Sequence, residues 1–378
     1  MTFYFNKNKC QRITSPTLFI IEPTNQTATR QFYFLQIHDI VILVNVMSKI
    51  KYIIRCITRM DYKKMFQIAK KVSKKSRKPI LWILIDIIYC GLKYGAGYYD
   101  YQEFEFYRLT KKERENYLTR TKNNLIIKKY NNKEYFHILD NKVEFNNTFK
   151  DFIKREYMLL DQSNEKDFEI FLKKHKEVIV KPLDGEGGKG VEKITYQKDM
   201  NLEKLYQSLI EKKQILVEEV IMQQESINKL YSGSVNTLRL FTFFDGKEAH
   251  VLNQVFKIGN GGVTDNFSSG SMYTFVDEEG KILVPAIDQN DHIYKEHPIT
   301  HEKIIGFQIP YFKEACNFVC EAAKIIPEVK YIGWDVAISK KGPVIIEGNS
   351  FPGVFQIKPS LMKNQGLIPK YQKYMDIK

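Results

Sequence analysis

A lysine delivered by a short apolar run into a glycine-rich loop is the first place where this chain could do chemistry. The segment reads Val178-Ile179-Val180-Lys181-Pro182, then Leu183-Asp184-Gly185-Glu186-Gly187-Gly188-Lys189-Gly190, then Val191 to Tyr196. The backbone amides of such a loop can close over a polyphosphate, and Lys181, fixed at a strand end, offers it a point charge. Gly185, Gly187 and Gly190 match the GxGxxG spacing. That dinucleotide fingerprint needs a helix directly after the loop, whereas Val191 to Tyr196 reads as a strand. A Walker phosphate loop needs Ser or Thr after Gly-Lys, where this chain has Gly190, and the companion motifs of a protein kinase are missing. What remains is a strand, a flexible flap and a second strand, with a ligand-free surface hairpin as the competing reading.

A second constellation lies near the other end. Gly333-Trp334-Asp335-Val336-Ala337 and Val344-Ile345-Ile346-Glu347-Gly348-Asn349 flank the turn Lys340-Lys341-Gly342-Pro343, a pattern that predicts a hairpin. Glu347 and Asn349 are two apart and leave the same strand face, and antiparallel pairing brings Asp335 beside them. Three oxygen donors of this kind suit magnesium held together with a nucleotide, whose other positions go to water and phosphate. A salt-bridged strand end is the alternative, because carboxylates among apolar strand residues need partners. Between the two constellations, Gln214 to Ile221 reads as an apolar strand ending in Glu218 and Glu219, which must face opposite ways, and as a crossing where a ring could meet exposed backbone. In Ser234 to Arg239, Asn236 and Leu238 share one strand face and Arg239 takes the other. No Ser/His/Asp or Cys/His nucleophile set stands out. His297 and His301 bracket a proline-containing loop and read as exposed.

These groups need elements to position them. Short apolar strands are expected at 178–180, 215–220, 235–244, 250–256, 331–338 and 344–347, with helices at 201–212 and 311–326. Earlier in the chain, Ile50, Ile53, Ile54 and Ile57, then Phe66, Ile68, Ala69 and Val72, recur at helical spacing. Pro79 opens another helix over the run from Ile80, which Gly95 and Gly97 end. The aromatic cluster Tyr98, Tyr99, Tyr101, Phe104, Phe106 and Tyr107 reads as core packing rather than a ligand platform.

Composition sets the outer limits. The 378 residues are long enough for two or three domains, and 43% hydrophobic with 27% charged is ordinary globular composition. The net charge of +14 suits phosphate-rich partners, but the basic residues are dispersed, so a solvated basic surface is expected and no nucleic-acid partner. Five cysteines form no CxxC pair, which fits a reducing cytoplasm; Cys316 and Cys320, one helical turn apart, read as small buried hydrophobes. His38 and Asp39 interrupt the apolar stretch 32–46 and Asp86 the stretch 80–92, so no transmembrane segment is expected. Residues 1–46 differ in texture from the rest and form no clean signal peptide. They are expected to be a non-native or disordered extension, with Met47 as the biological start.

Taken together and in this order, these segments resemble the ATP-grasp superfamily, and more closely the sugar-transfer associated ATP-grasp family found with bacterial polysaccharide biosynthesis genes. The resemblance runs from about residue 47 to 356 and includes Tyr94-Gly95, the stretch to Asp100-Tyr101 and Phe104, Ser234 to Arg239, Val263 to Asn266, His297-Pro298, Gly306 and Ile309-Pro310. It implies an α/β (α+β) ATP-grasp fold of two α+β lobes with a nucleotide cleft, preceded by a helical aromatic-rich module at 47–135. The grasp domain would span 136–378, with a first lobe at 136–217, a crossing at 218–224 and a second lobe at 225–378. By the same resemblance, Lys181 and Lys142 contact ATP, with Gly185, Gly187, Gly188 and Gly190 in the flap. Glu218, Glu219 and the backbone at Val220 meet adenine, Gln224 or Glu225 meets ribose, and Asn236 joins the nucleotide set. Arg239 steadies the phosphates or the intermediate and is, with Lys181, a catalytic residue, while Asp335, Glu347 and Asn349 hold Mg2+.

The chemistry implied is carboxylate–amine ligation: a carboxylate attacks the γ-phosphate of ATP, an acyl phosphate forms, and an amine displaces phosphate. Such a reaction demands electrostatic stabilisation rather than a protein nucleophile. The expected substrates are small or sugar-linked acids and amines, belonging to a surface polysaccharide or its precursor. The setting expected is the cytoplasm, with peripheral contact at the inner membrane face. A phosphotransferase on the same fold and a non-catalytic nucleotide-binding scaffold are the alternatives; oligomeric state is not legible.

Overall fold

Capping residues and apolar spacing build a run of helices before any strand appears. The computed structural model describes residues 60–183, 189–262, 270–363 and 366–377. The expectations for residues 1–46, Met47, the first helix to residue 59, Val263 to Asn266, and Gly185, Gly187 and Gly188 lie outside the described residues. Helices α1 (Tyr62–Ser76), α2 (Ile80–Tyr94), α3 (Tyr98–Glu103), α4 (Lys111–Asn116), α5 (Arg120–Tyr130), α6 (Phe136–Asp140), α7 (Lys142–Thr148) and α8 (Lys150–Ile153) follow one another. In α1 the buried residues are Met65, Ile68, Ala69 and Val72, the three-to-four spacing of one helix face. Pro79 sits at the N-cap of α2, and Gly95 closes the helix at φ 66°. A side chain there would press on Thr121 at 2.9 Å, so the position suits glycine twice over.

Thr110 and Glu113 form a reciprocal capping box on α4. The Asn141 side chain accepts from the Val143 and Glu144 amides, restarting the helix after Asp140. Helix thus persists to Ile153, well beyond residue 135. The aromatic cluster is core, as expected: Tyr101, Phe104, Phe106 and Tyr107 are buried, and only Tyr99 is half-exposed. Beneath it, Asp86 of α2 takes both Arg114 amino groups at 2.7 Å and the Tyr101 hydroxyl at 2.7 Å.

The first sheet comprises β1 (Tyr157–Leu159), β2 (Glu177–Lys181), β3 (Glu192–Thr195) and β4 (Leu216–Glu219), with α9 (Glu165–His175) and α10 (Leu202–Glu211) between strands. Its order is β1-β4-β2-β3, antiparallel throughout. Alternating Val178 and Val180 point into a core with Phe168, Leu172, Tyr206 and Leu209 of the two helices, leaving Ile179 and Lys181 on the other face.

Helix α11 (Glu225–Leu230) precedes β5 (Thr237–Phe244), β6 (Ala249–Ile258), β7 (Met272–Phe275), β8 (Ala286–Ile287) and β9 (Ile293–Tyr294); then come α12 (Phe312–Ala323), β10 (Tyr331–Ser339), β11 (Gly342–Asn349) and α13 (Ile368–Tyr371). The seven strands pair in the order β11-β10-β5-β6-β7-β8-β9. Trp334 of β10 packs edge-on against Phe149, and Phe152 meets Phe318 of α12. That apolar face sends the neighbouring residue, Asp335, to the opposite face. On α12, burial pushes the Cys316 and Cys320 thiols up to about 12 and about 11, which leaves them inert packing groups. No helix among the described residues is long and apolar enough to cross a membrane.

Candidate active site

The hairpin of β10 and β11 pairs Asp335 with Glu347 and Gly333 with Asn349, placing the three oxygen donors on one face as the spacing predicts. The register shifts between Asp335 and Val336, so Ile346 is an extra residue. A bulge of this kind turns the strand locally and re-aims the side chain that follows. Asn349 donates from Nδ2 to the Gly333 carbonyl at 3.2 Å and to Glu347 Oε1 at 3.5 Å. Gly333 is a close-approach position: a Cβ there would lie 3.0 Å from Pro352 and 3.2 Å from Arg239 Nη1.

Cross-strand neighbours bring cations to the acids. Arg239 on β5 faces Asp335, its Nε 2.7 Å from Oδ1 and its Nη2 donating to Oδ2 at 3.0 Å. Lys257 on β6 reaches Oδ2 at 2.9 Å. The short Nε contact is an ion pair without hydrogen-bond alignment, and Asp335 Oδ1 remains buried with no donor in line. Burial would push the Asp335 carboxyl up, but the Arg239 and Lys257 charges override it and hold it below the usual range. Glu347 goes the other way. Desolvation and the Asp335 charge both push it up. Because Glu347 is exposed, the charge of its neighbour Asp335 acts on it more than burial does.

Two carboxylates and an amide side by side, with Asp335 held anionic by Arg239 and Lys257, form a hard-oxygen donor set of the kind that holds a divalent cation. The donor set fits Mg2+: all three ligands are hard oxygens. Among the described residues no group of three His, Cys, Asp or Glu side chains gathers as a metal cluster; here the third donor is Asn349.

The second constellation is built on β2 and β4. Lys181 ends β2 and lies diagonally across from Glu218, with Nζ 2.7 Å from Oε2. Arg155 and Asn146 both donate to Glu218 Oε1 at 3.1 Å. Burial would raise Glu218, yet Arg155 and Lys181 hold its carboxyl far below the ordinary range. Glu219, on the other strand face as alternation requires, accepts from the Glu156 amide at 3.1 Å. Arg155 also donates to the carbonyls of Ile345 and Ile346 at 2.8 and 3.3 Å. One guanidinium thus ties the anchor of Lys181 to the bulge that aims Glu347, so the two constellations share a frame.

His297, expected to be exposed, is instead buried, stacked on Tyr231 with Nε2 2.9 Å from the Gly259 carbonyl; the other expected residues are placed as follows. Lys142, in the first turn of α7, donates to the Leu183 carbonyl at 2.6 Å, at the entrance of the flap. Gly190 lies at φ 72° and its carbonyl accepts from Gln214. Past Val220, the chain moves from the first sheet to the second: Gln223 bridges Ser339 and the Gln224 amide donates to Ile338. The Gln224 side chain caps Ser226, while Glu225 stands exposed, 3.8 Å from Lys340. Asn236 requires a correction. It is fully buried, its Nδ2 donates to Gln223 and Tyr231, and its Oδ1 accepts from the Gly259 amide. With every polar atom committed to protein groups, it organises the loop and leaves nothing for a nucleotide.

Arg155 and Lys257 were not singled out from sequence. Lys257 lies one residue past the expected strand 250–256, between Phe256 and Ile258, where a charge among apolar residues needs a buried partner. Arg155, in a charged stretch after a helix, carried no such signal.

A cavity of about 710 Å³ opens beside this site rather than in it. Its wall includes Pro352, two helical contributors, Tyr99 and Arg120, and Tyr273, which pairs with Lys257 across β6 and β7. Arg120 bonds Asp100 and Glu103, and Lys358 bonds Asp291.

Comparison with known proteins adds a family. The family model described as "Sugar-transfer associated ATP-grasp" matches residues 121–374, more than half of the chain. Among solved structures, D-alanyl-alanine synthetase A from Vibrio cholerae O1 biovar eltor str. N16961 is similar at 12% identity and TM-score 0.37, over 62% of this chain and 60% of that one. D-alanine–D-alanine ligase from Bacillus anthracis matches at 13% identity and TM-score 0.36, over 62% of each chain. The ATP-grasp ligase PsnB, complexed with minimal precursor, matches at 14% and 0.35, over 59% of this chain and 56% of that one. The match thus spans about three fifths of the length of these structures. No curated protein matches the chain.

Proposed function

This chain belongs to the sugar-transfer associated ATP-grasp family, and from that premise we propose that it is an ATP- and magnesium-dependent ligase joining a carboxylate to an amine through an acyl phosphate. The observation that carries the reading is the shared frame: Arg155 joins the Lys181–Glu218 pair to the Asp335, Glu347 and Asn349 hairpin. In this reading Lys181, held in place by Glu218, and Lys142, at the flap entrance, meet the phosphates of ATP. Glu219 and the backbone at Val220, where the chain passes from the first sheet to the second, would meet adenine, and the exposed Glu225 would take the ribose. Asp335, Glu347 and Asn349 would hold Mg2+, which when bound offsets phosphate charge. Arg239 stays fixed by Asp335 and presents its remaining guanidinium edge toward the transferring group, so that no reorganisation is needed as charge develops.

The acceptor fits the neighbouring cavity. Its wall at Pro352 abuts Gly333, beside the metal donors, and about 710 Å³ is room for a sugar-sized molecule. Mixed charges and the half-exposed Tyr99 suit a polar, ring-bearing acid. Such a substrate is consistent with modification of a polysaccharide or its precursor on a cytoplasmic face.

The experiment follows ADP, phosphate and acceptor together. Purified protein is supplied with ATP, magnesium, pooled sugar acids and pooled amino compounds, with hydroxylamine as an alternative nucleophile. The ligase reading expects ADP release that depends on the acid, and a hydroxamate when hydroxylamine replaces the amine. A stable phosphorylated acceptor would instead establish a phosphotransferase, and nucleotide binding with no turnover a scaffold.

A further inference from the structure

We infer that α2 is an interfacial helix that seats this protein on an anionic lipid surface. Its outward face presents Leu81, Trp82, Ile85, Ile88, Tyr89 and Leu92, each 38–67% exposed, at spacings that form one continuous stripe. The inward face is separate: Ile83, Ile87, Cys90 and Tyr94 are buried in the core. The helix is therefore apolar on two faces, and the core accounts for one of them. A contiguous exposed patch of this kind marks an interaction site.

The rim of the stripe indicates what covers it. The only acid in α2, Asp86, is turned inward onto Arg114. The cations are outside. Lys78, whose ammonium donates to the Tyr107 carbonyl at 2.8 Å, lies 4.3 Å over the Trp82 ring at one end. Lys93 lies 5.7 Å over Tyr89 at the other, also reaching Glu115 at 4.0 Å, and the Lys111 charge acts on the same tyrosine. Leucine and isoleucine flanked by Trp, Tyr and lysines are the composition of a helix lying in the headgroup boundary of a bilayer, apolar face down and ammonium groups at the phosphates. Fifteen residues make a rod of about 22 Å, too short to span a bilayer and long enough to lie on one.

Charge selects this occupant over the others. A second copy of the chain would bring its own net charge of +14 to a basic rim. Residues 1–59, with eight Lys and Arg against two Asp and Glu, would likewise bring positive charge. An anionic bilayer brings the opposite sign.

The test uses the full chain and its own reporter. Trp82 and Trp334 are the two tryptophans, and Trp334 is fully buried, so a lipid-induced blue shift in emission reads Trp82. On vesicles containing phosphatidylglycerol, the protein is expected to shift and to co-sediment at least about ten-fold more than on phosphatidylcholine alone. Leu81→Gln with Ile85→Gln, both at exposed positions, should abolish the shift. Lys93→Glu with Lys111→Glu should weaken sedimentation about ten-fold. Both double variants should keep the ATP binding of the parent, which separates loss of the surface from loss of the proposed active site. The inference is overturned by unshifted emission with no sedimentation, or by a Leu81→Gln/Ile85→Gln protein that sediments as the parent does. It is equally overturned by a blue emission before lipid is added, which would mean the stripe is covered within the chain, or by a lipid-free dimer that the same variant dissociates.

Discussion

Replacing Glu347 by glutamine is expected to lower ATP turnover by on the order of 10²–10³-fold while leaving the fold at least as stable as before. The two halves of that expectation have different causes. Glu347 supplies one of the two negative charges in the proposed metal site, and the amide keeps its size but not its charge. For stability the sign reverses. Desolvation and the Asp335 charge push the Glu347 carboxyl up, more than the Arg239 and Lys257 charges offset, so removing the Glu347 charge relieves the folded state. Thermal unfolding and steady-state ADP release on the same preparation check both parts. A structural salt bridge at this position would give the reverse pattern, with stability lost and turnover spared. Asp335→Asn is a poorer probe, since it would strand the Arg239 and Lys257 charges against which Asp335 is held.

Glu218→Gln should cost about 3–5 kcal/mol of stability at neutral pH, because it leaves Lys181 and Arg155 buried without their shared counter-charge. The pH dependence follows from the direction of the shift. Glu218 is held far below the ordinary carboxylate range in the folded protein, so it binds its proton more readily when unfolded. Its contribution is complete above about pH 4.3, the unfolded value, and is lost as pH falls through the depressed folded value. Urea denaturation at several pH values should therefore show a constant gap between parent and variant across neutral pH, closing only in acid. A gap that closes as pH rises instead would mean that Glu218 is not the anionic anchor described.

How much of this could be read from residues alone depended on period. Glu347 and Asn349, two apart on a strand, and Asp335 across a short turn had one geometry available, and the hairpin adopts it. Glu218 and Glu219 divided as alternation dictates. The bulge at Ile346 was not legible, because an extra residue leaves no mark on composition. Strands β8 and β9 are two residues each and β7 is buried on both faces, so none has an alternation to detect. Helices α6 to α8 run four to seven residues, too short for a helical period, and only the capping Asn141 announces them. Asn236 entered the nucleotide set through the resemblance alone, whereas its amide is consumed by Gln223, Tyr231 and Gly259. The run from Ile80 to Leu92 read as one apolar helix, but sequence could not say that half of its large side chains would face outward.

If nucleotide and metal are held together between Lys181 and the Glu347 hairpin, calorimetric titration of ATP into the full chain reads it out. With magnesium present binding should be saturable, weakened at least about ten-fold by EDTA and by Glu347→Gln, and weakened by Lys181→Met. Equal affinity with and without the metal, unchanged in both variants, would contradict it.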